Sequence, residues 1–315
     1  MPLKGAMPDA SPAEALSPPV VWPDTPQSLR LEPLTAPFAH PSEAQFARLL
    51  DFYGVAWQYE PRSFPLREED DGRVVEAFTP DFYLPEFDLY IELTTLRQSL
   101  VTYKNRKLRR LRERYPDINV KLLYRNDYLR LLGRFGIDPR HSTALPSVER
   151  VLVTRDDLER RVTELGAEIT RDYAGSRPIL VGVLRGVTCF MADLMRAIDL
   201  PVTVDFLALS PYAQEREVLH FTKDLEEDIT GQRVIVVEDI VDTGISLHRL
   251  LQYLDDRSPN DVAVCALLDK RARRIADVPI RYTGFEVGDE FVVGYGLDYR
   301  QEFRNLPYVG VVRTA

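Results

Sequence analysis

Two adjacent carboxylates, Glu238 and Asp239, sit between a β-favouring run and a glycine turn in Val234-Ile-Val-Val-Glu-Asp-Ile-Val-Asp-Thr-Gly-Ile-Ser246. The apolar residues 234–237 predict a core strand, which delivers the next residues of the chain to the carboxyl edge of a parallel sheet, where ligands bind. Asp242, Thr243, Gly244, Ile245 and Ser246 then lead into a helix with Leu247, Leu250, Leu251 and Leu254 on one face. The free N–H groups and dipole of such a helix start hold a phosphate monoester, and Gly244 lets the backbone come close. Carboxylates beside that cradle would repel a phosphate unless they meet hydroxyls or a divalent cation. A phosphorylated ribose with Mg²⁺ supplies both. The plainer alternative is a strand, turn and helix with a charged cap.

Other residues of chemical interest come directly after predicted strands. The strand 179–184 ends in Leu184-Arg185-Gly186, and the strand 262–268 ends in Asp269-Lys270. Further on come Gly284-Phe-Glu-Val-Gly-Asp-Glu-Phe-Val-Val-Gly-Tyr-Gly-Leu-Asp-Tyr299 and Phe303-Arg304-Asn-Leu-Pro307. Taken singly, Lys270 reads as a surface lysine in the basic run 270–274 and Phe291 as a core residue.

Together these runs resemble the type I phosphoribosyltransferases, specifically their hypoxanthine-guanine branch, over about residues 148–315. The resemblance implies that Glu238 and Asp239 serve the ribose hydroxyls and a Mg²⁺ ion of phosphoribosyl pyrophosphate (PRPP), with Thr243, Gly244, Ile245 and Ser246 on its phosphate. It implies that Leu184, Arg185, Gly186 and Arg304 bind pyrophosphate, and that Asp298 also binds the metal. Lys270 would donate to the exocyclic oxygen of a 6-oxopurine, Phe291 would stack on the base and the Val292 backbone would pair with its edge. Asp242 would be the general acid/base facing N7. The implied partners are PRPP, hypoxanthine, guanine, IMP, GMP and pyrophosphate, with a homo-oligomer expected. Arg185 departs from the family's lysine, a fork replacing a point charge. The lid departs more. Residues 209–221 lack glycine, and Pro211 precedes the aromatic Tyr212 where the family has serine, removing a hydroxyl and a backbone donor.

The N-terminal half carries different chemistry. Ser42 is expected to cap a helix with Phe46, Leu49, Leu50 and Tyr53 on one face, ending at Gly54. Leu89, Ile91 and Leu93 are expected to face a core, with Tyr90, Glu92 and Thr94 opposite. Asp81 and Glu92 then meet across a hairpin, where two carboxylates bind a divalent metal. Glu43, Glu60-Pro61, Pro80-Asp81 and Glu92 resemble the PD-(D/E)XK nuclease-like fold over about residues 40–132. Thr94 stands where that family has lysine, leaving Lys104 or Lys107 on the next helix as replacements. That helix, 103–115, holds seven basic residues against one acidic. It reads either as a nucleic-acid contact or as a solvated face.

The expected fold class is α/β: a phosphoribosyltransferase-type parallel sheet flanked by helices, with a small hood, preceded by an α/β restriction-endonuclease-like domain. The expected boundaries are a Pro-rich leader at 1–28, the nuclease-like domain at 29–132, a linker at 133–148 and the phosphoribosyltransferase domain at 149–315. A net charge of −9 argues against avid non-specific nucleic-acid binding. Two cysteines and no signal-like run point to reduced thiols in the cytoplasm. Three functions are compatible with these residues: a 6-oxopurine phosphoribosyltransferase of purine salvage with an accessory nuclease-like domain, a nucleotide-sensing nucleic-acid-binding regulator, or a purine-nucleotide-controlled nuclease.

Overall fold

The computed structural model describes residues 38–69, 71–94, 98–124, 147–209, 221–299 and 301–312. The chain falls into two units, Met1–Pro37 and Phe38–Ala315. The first unit, the lid residues Pro211 and Tyr212 and the predicted linker up to residue 146 lie outside the described residues.

The second unit begins with α1 (Pro41–Phe52), followed by β1 (Gln58–Tyr59), β2 (Phe64–Glu68), β3 (Val74–Phe78), β4 (Phe82–Leu84), β5 (Leu89–Thr94), α2 (Gln98–Arg114) and β6 (Val120–Tyr124). A four-stranded sheet has the order β1-β4-β5-β6, and β2 and β3 form a separate hairpin. β4 and β5 pair antiparallel, as the hairpin expectation requires, whereas β5 and β6 are parallel and joined through α2. The cap of α1 is His40 rather than Ser42. The His40 ring accepts from the Ser42 N–H at 3.2 Å and the Glu43 carboxylate accepts from the His40 N–H at 3.1 Å, closing a capping box that starts the helix earlier than expected. At the other end Gly54 takes φ +59, the left-handed stop that glycine permits. The alternation expected of β5 is not observed, because all six of its residues are buried. Tyr90 packs with Phe64, Leu108 and Leu111, so the hairpin and α2 cover the face expected to be open.

Non-alternating apolar runs such as 179–184 and 234–237 need strands covered on both faces. The C-terminal half provides this. Its elements are β7 (Val148–Val153), α3 (Arg155–Asp172), β8 (Ile179–Leu184), α4 (Thr188–Ala197), β9 (Thr203–Leu209), β10 (Phe221–Lys223), β11 (Arg233–Val241), α5 (Ile245–Asp255), β12 (Asp261–Asp269), β13 (Tyr282–Glu286), β14 (Val292–Val293) and β15 (Val309–Val312). A six-stranded sheet runs β10-β9-β8-β11-β12-β13, parallel except for β10. Ile235 and Val237 pack against α3 and α4, while Val234 and Val236 pack against α5 through Leu247, Leu250 and Leu254. Thr154 caps α3 by accepting from the Asp157 N–H at 3.2 Å, as its sequence predicts. A three-stranded sheet, β14-β15-β7, forms the hood. β7 begins at Val148, the last residue of the predicted linker. Among the described residues no helix is long and apolar enough to cross a membrane.

Candidate functional site

Parallel pairing with β12 carries β11 through the acidic pair, with Glu238 opposite Ala266 and Ile240 opposite Leu268. Glu238 and Asp239 therefore lie within the strand instead of after it, because the partner strand is equally long. Asp239 is held by the Ile240 N–H, which donates to Oδ1 at 2.7 Å. Its Oδ2 occupies the place a Cβ on Gly186 would take, so a side chain there would push the carboxylate aside. Gly186 is equally close to the hood: its carbonyl lies 2.0 Å from the Cβ position of Gly296, whose φ is +99. The Arg304 guanidinium donates to the Gly296 carbonyl at 2.6 Å and pairs with Asp298 at 2.7 Å. The other Asp298 oxygen accepts from the Gln301 N–H at 2.8 Å, and Arg185 donates to the Gln301 side chain at 3.4 Å. The peptide between Leu184 and Arg185 is cis. Residues expected to serve the ribose, the pyrophosphate and the metal thus surround one turn.

The phosphate cradle comes at the end of β11. Gly244, at φ +80, has the Ala276 carbonyl 2.3 Å from its Cβ position, and the Ile275 and Ala276 N–H groups donate to the Thr243 carbonyl at 2.7 and 3.0 Å. These bonds fix the turn from behind. The first N–H groups of α5 have no acceptor within the helix. The Ser246 hydroxyl lies 3.0 Å from the hydroxyl of Tyr53, at the end of α1. Asp242 is 8% exposed; one of its oxygens has no hydrogen-bond partner, and the other is 3.7 Å from the Arg273 guanidinium.

Lys270 is 4% exposed, not the surface residue of the plainer reading. Its ammonium donates to the Glu290 carbonyl at 2.8 Å, and its N–H to the Val241 carbonyl at 2.9 Å. Val292 pairs with Val311 at the hood. Phe291 packs with Val293 and Val312 and meets the Tyr299 ring edge-on, centroids 5.5 Å apart, so much of it belongs to the hood's own core. Arg273 was not singled out by the sequence, being one of four basic residues in a short run. The structure buries it and bonds it to Asp289 at 2.7 Å.

In the N-terminal half, Asp81 and Glu92 come together with Lys104. Asp81 accepts from the Leu93 N–H at 2.6 Å, while Lys104 pairs with Glu92 and donates to the Leu93 carbonyl at 2.9 Å. Lys104 therefore reaches the carboxylate pair that Thr94 cannot serve. Burial, then the Glu92 charge, push the Asp81 carboxyl up to about 7; burial also raises Glu92, against the opposing pull of Lys104. One Glu92 oxygen and the Thr94 hydroxyl are buried without a hydrogen-bond partner. Glu43 is occupied by its capping role and by the Tyr59 hydroxyl, which donates at 2.8 Å. The basic face of α2 is largely neutralised: Arg110 pairs with Glu76, Arg114 with Glu68 and Arg109 with Glu113, and Lys107 donates to the Ala77 carbonyl.

Among the described residues no three acidic, histidine or cysteine side chains converge to hold a metal by themselves. Mg²⁺ typically takes one or two carboxylates and completes its shell with ligand phosphates and water. Asp239, against Gly186, and Asp298, paired with Arg304, offer the hard oxygens that such binding needs, with Glu238 next to Asp239 in the chain. Both cysteines are free thiols, Cys265 fully buried and its thiol pushed up by that burial.

Residues 153–300 match the phosphoribosyl transferase domain family. The hypoxanthine phosphoribosyltransferase of Salmonella typhimurium is 46% identical over 167 residues, covering 51% of this chain and 94% of that protein. The hypoxanthine-guanine phosphoribosyltransferase of Streptococcus pneumoniae is 42% identical over 169 residues, covering 53% and 94%. A crystal structure of a hypoxanthine-guanine phosphoribosyltransferase from Bacillus anthracis superimposes with a TM-score of 0.51 at 39% identity, covering 54% of this chain and all of that one.

Proposed function

The chain belongs to the hypoxanthine-guanine phosphoribosyltransferase family, and on that premise we propose that it moves the 5-phosphoribosyl group of PRPP to N9 of hypoxanthine or guanine. The products are pyrophosphate and IMP or GMP, a salvage reaction. The C-terminal half is the transferase. The observation that carries the reading is the meeting of Asp239, Gly186, Gly296, Asp298 and Arg304 about one turn.

As the bond from C1′ to oxygen breaks, positive charge grows on the ribose and negative charge on the departing pyrophosphate. Arg185, Arg304 and the turn 184–186 face the negative charge. When bound, Mg²⁺ neutralises phosphate charge, and Asp298, Asp239 and Glu238 would hold it. Asp242 handles the proton of the purine. Its buried oxygen lacks a partner, and a base N–H supplies one. Lys270 donates to the exocyclic oxygen, which selects a 6-oxopurine over adenine, whose amino group would oppose one donor with another. Phe291 and the Val292 backbone border the base, and Ile245, Ser246, Thr243 and Gly244 hold the 5-phosphate. Two unbridged thiols suit a reducing compartment, and we assign the reaction to the cytoplasm and to a homo-oligomer.

Incubation with PRPP, Mg²⁺ and each of hypoxanthine, guanine and xanthine, read as pyrophosphate release, tests this directly. No product with any of the three overturns it.

A second reading applies to the N-terminal half. With domain boundaries at 29–132 and 149–315, the accessory domain is nuclease-like, and the pairing of Lys104 with Glu92 beside Asp81 favours it. Mg²⁺-dependent nicking that vanishes in Asp81→Ala and Glu92→Ala is the expected result; intact DNA and RNA panels remove the idea. Binding of IMP or GMP without any turnover would instead indicate a nucleotide-sensing regulator.

A further inference from the structure

The phosphate cradle is gripped from outside the matched residues 153–300. Tyr53, the residue that ends α1, is 6% exposed, and its hydroxyl lies 3.0 Å from the Ser246 hydroxyl. One turn along α5, Arg249 reaches back to the same corner: it donates to the Tyr53 carbonyl at 3.0 Å and the Gly54 carbonyl at 2.9 Å, and pairs with both oxygens of Glu86 at 2.8 and 2.5 Å. Its neighbour His248 lies 3.2 Å from Glu86 and meets Phe87 edge-on with ring centroids 5.5 Å apart. On the other side of the turn, the Lys121 ammonium of β6 donates to the Arg274 carbonyl, and the Arg274 side chain backs Gly244 at 2.7 Å from its Cβ position. Burial, with Arg274 nearby, lowers the Lys121 pKa. The start of α5 is therefore fixed at two points by the N-terminal half.

A serine hydroxyl has one proton to donate and two lone pairs to accept with, and a tyrosine hydroxyl can donate to it. The Ser246 hydroxyl donates to the Tyr53 hydroxyl, which fixes where the serine oxygen points; a phosphate oxygen arriving there reverses the bond, the Tyr53 O–H donating to the serine oxygen while the serine proton turns to the phosphate. We propose that Tyr53 is a positioning residue for the sugar-phosphate site, acting through Ser246 to hold its hydroxyl ready for the 5-phosphate. This deepens the reading above and rests on it. Tyr53 does not touch the reacting atoms, so its effect belongs to substrate binding.

The test uses the full chain. Tyr53→Phe keeps the ring and removes only the hydroxyl; it is expected to raise KM for PRPP by about fivefold to tenfold, the scale of one hydrogen bond, with kcat and the KM for hypoxanthine unchanged. Affinity for IMP should fall to the same extent while affinity for inosine, which lacks the phosphate, stays constant. Ser246→Ala should raise the same KM, and adding Tyr53→Phe to it should do nothing more, because the two act as one unit. A merely structural tyrosine would lower the melting temperature and move both KM values. An unchanged KM for PRPP, or additive losses in the double variant, overturns the proposal. Wild-type protein that binds IMP but makes no product would sink the transferase reading, and the comparison of IMP with inosine would still decide the role of Tyr53.

Discussion

Carboxylates lie in or beside strands and turns in both halves of this chain, but their surroundings differ in kind. Asp239 and Asp298 border a turn made by glycines, and among their partners are backbone N–H groups and an arginine that itself reaches the hood. Asp81 and Glu92 lie beside a buried strand, served by one lysine, with Asp81 raised to about 7. On the proposed function the first set is arranged around its substrate. The second is arranged around itself and keeps a proton near neutral pH. Residue type alone does not separate the two, because the difference lies in what the fold places beside the carboxylate.

The comparison breaks most visibly at Asp242. Asp242→Asn should lower kcat by about two orders of magnitude or more while PRPP still binds, and unchanged turnover would remove the proton-handling role. Next comes the turn itself. Gly186→Ala sets a methyl against the Asp239 carboxylate, which must swing out of its place to admit it, and kcat/KM is expected to fall about a hundredfold. If activity survives, the turn is not where the site's parts meet. Lys270→Ala should raise KM for the purine about tenfold with PRPP binding spared, measured by varying each substrate in turn. Equal loss for both substrates would mean that the lysine has been misplaced.

The smallest effect concerns the other half. The folded-state pKa of Asp81, about 7, lies above its ordinary 3.8, so between these values the native state holds a proton that the unfolded chain has released. Its contribution to stability is fully present below about pH 4 and is lost as pH rises toward 7. Asp81→Asn removes the titration and should raise the melting temperature at pH 8 by about 3 °C, with little change at pH 4. A melting profile unaltered between these pH values would mean that the two carboxylate sets are electrostatically alike.

The family of the C-terminal half was legible because its motifs run in chain order: strand, acidic pair, glycine and helix start succeed one another, and strand ends point to candidate residues. The features that stayed hidden depended on partners. The length of β11 is set by β12, which no local pattern announces. The second buried face of β5 depends on where α2 lands. The cap of α1 moved to His40 because an imidazole nitrogen can do what a serine oxygen does. Tyr53 was legible only as a core-facing helix residue, since Ser246 is 193 positions away. Arg273 was lost among neighbouring basic residues until Asp289 picked it out.

The Gly186 carbonyl reaches Gly296 because Gly296 lacks a side chain, and Asp239 closes on Gly186 from its own bare side. The hood thus meets the sheet by close approach of backbone to backbone at this point. A hood that loosened would not merely uncover the purine. It would withdraw the notch that receives the Gly186 carbonyl, so base recognition and pyrophosphate recognition should fail together in any variant that unseats it.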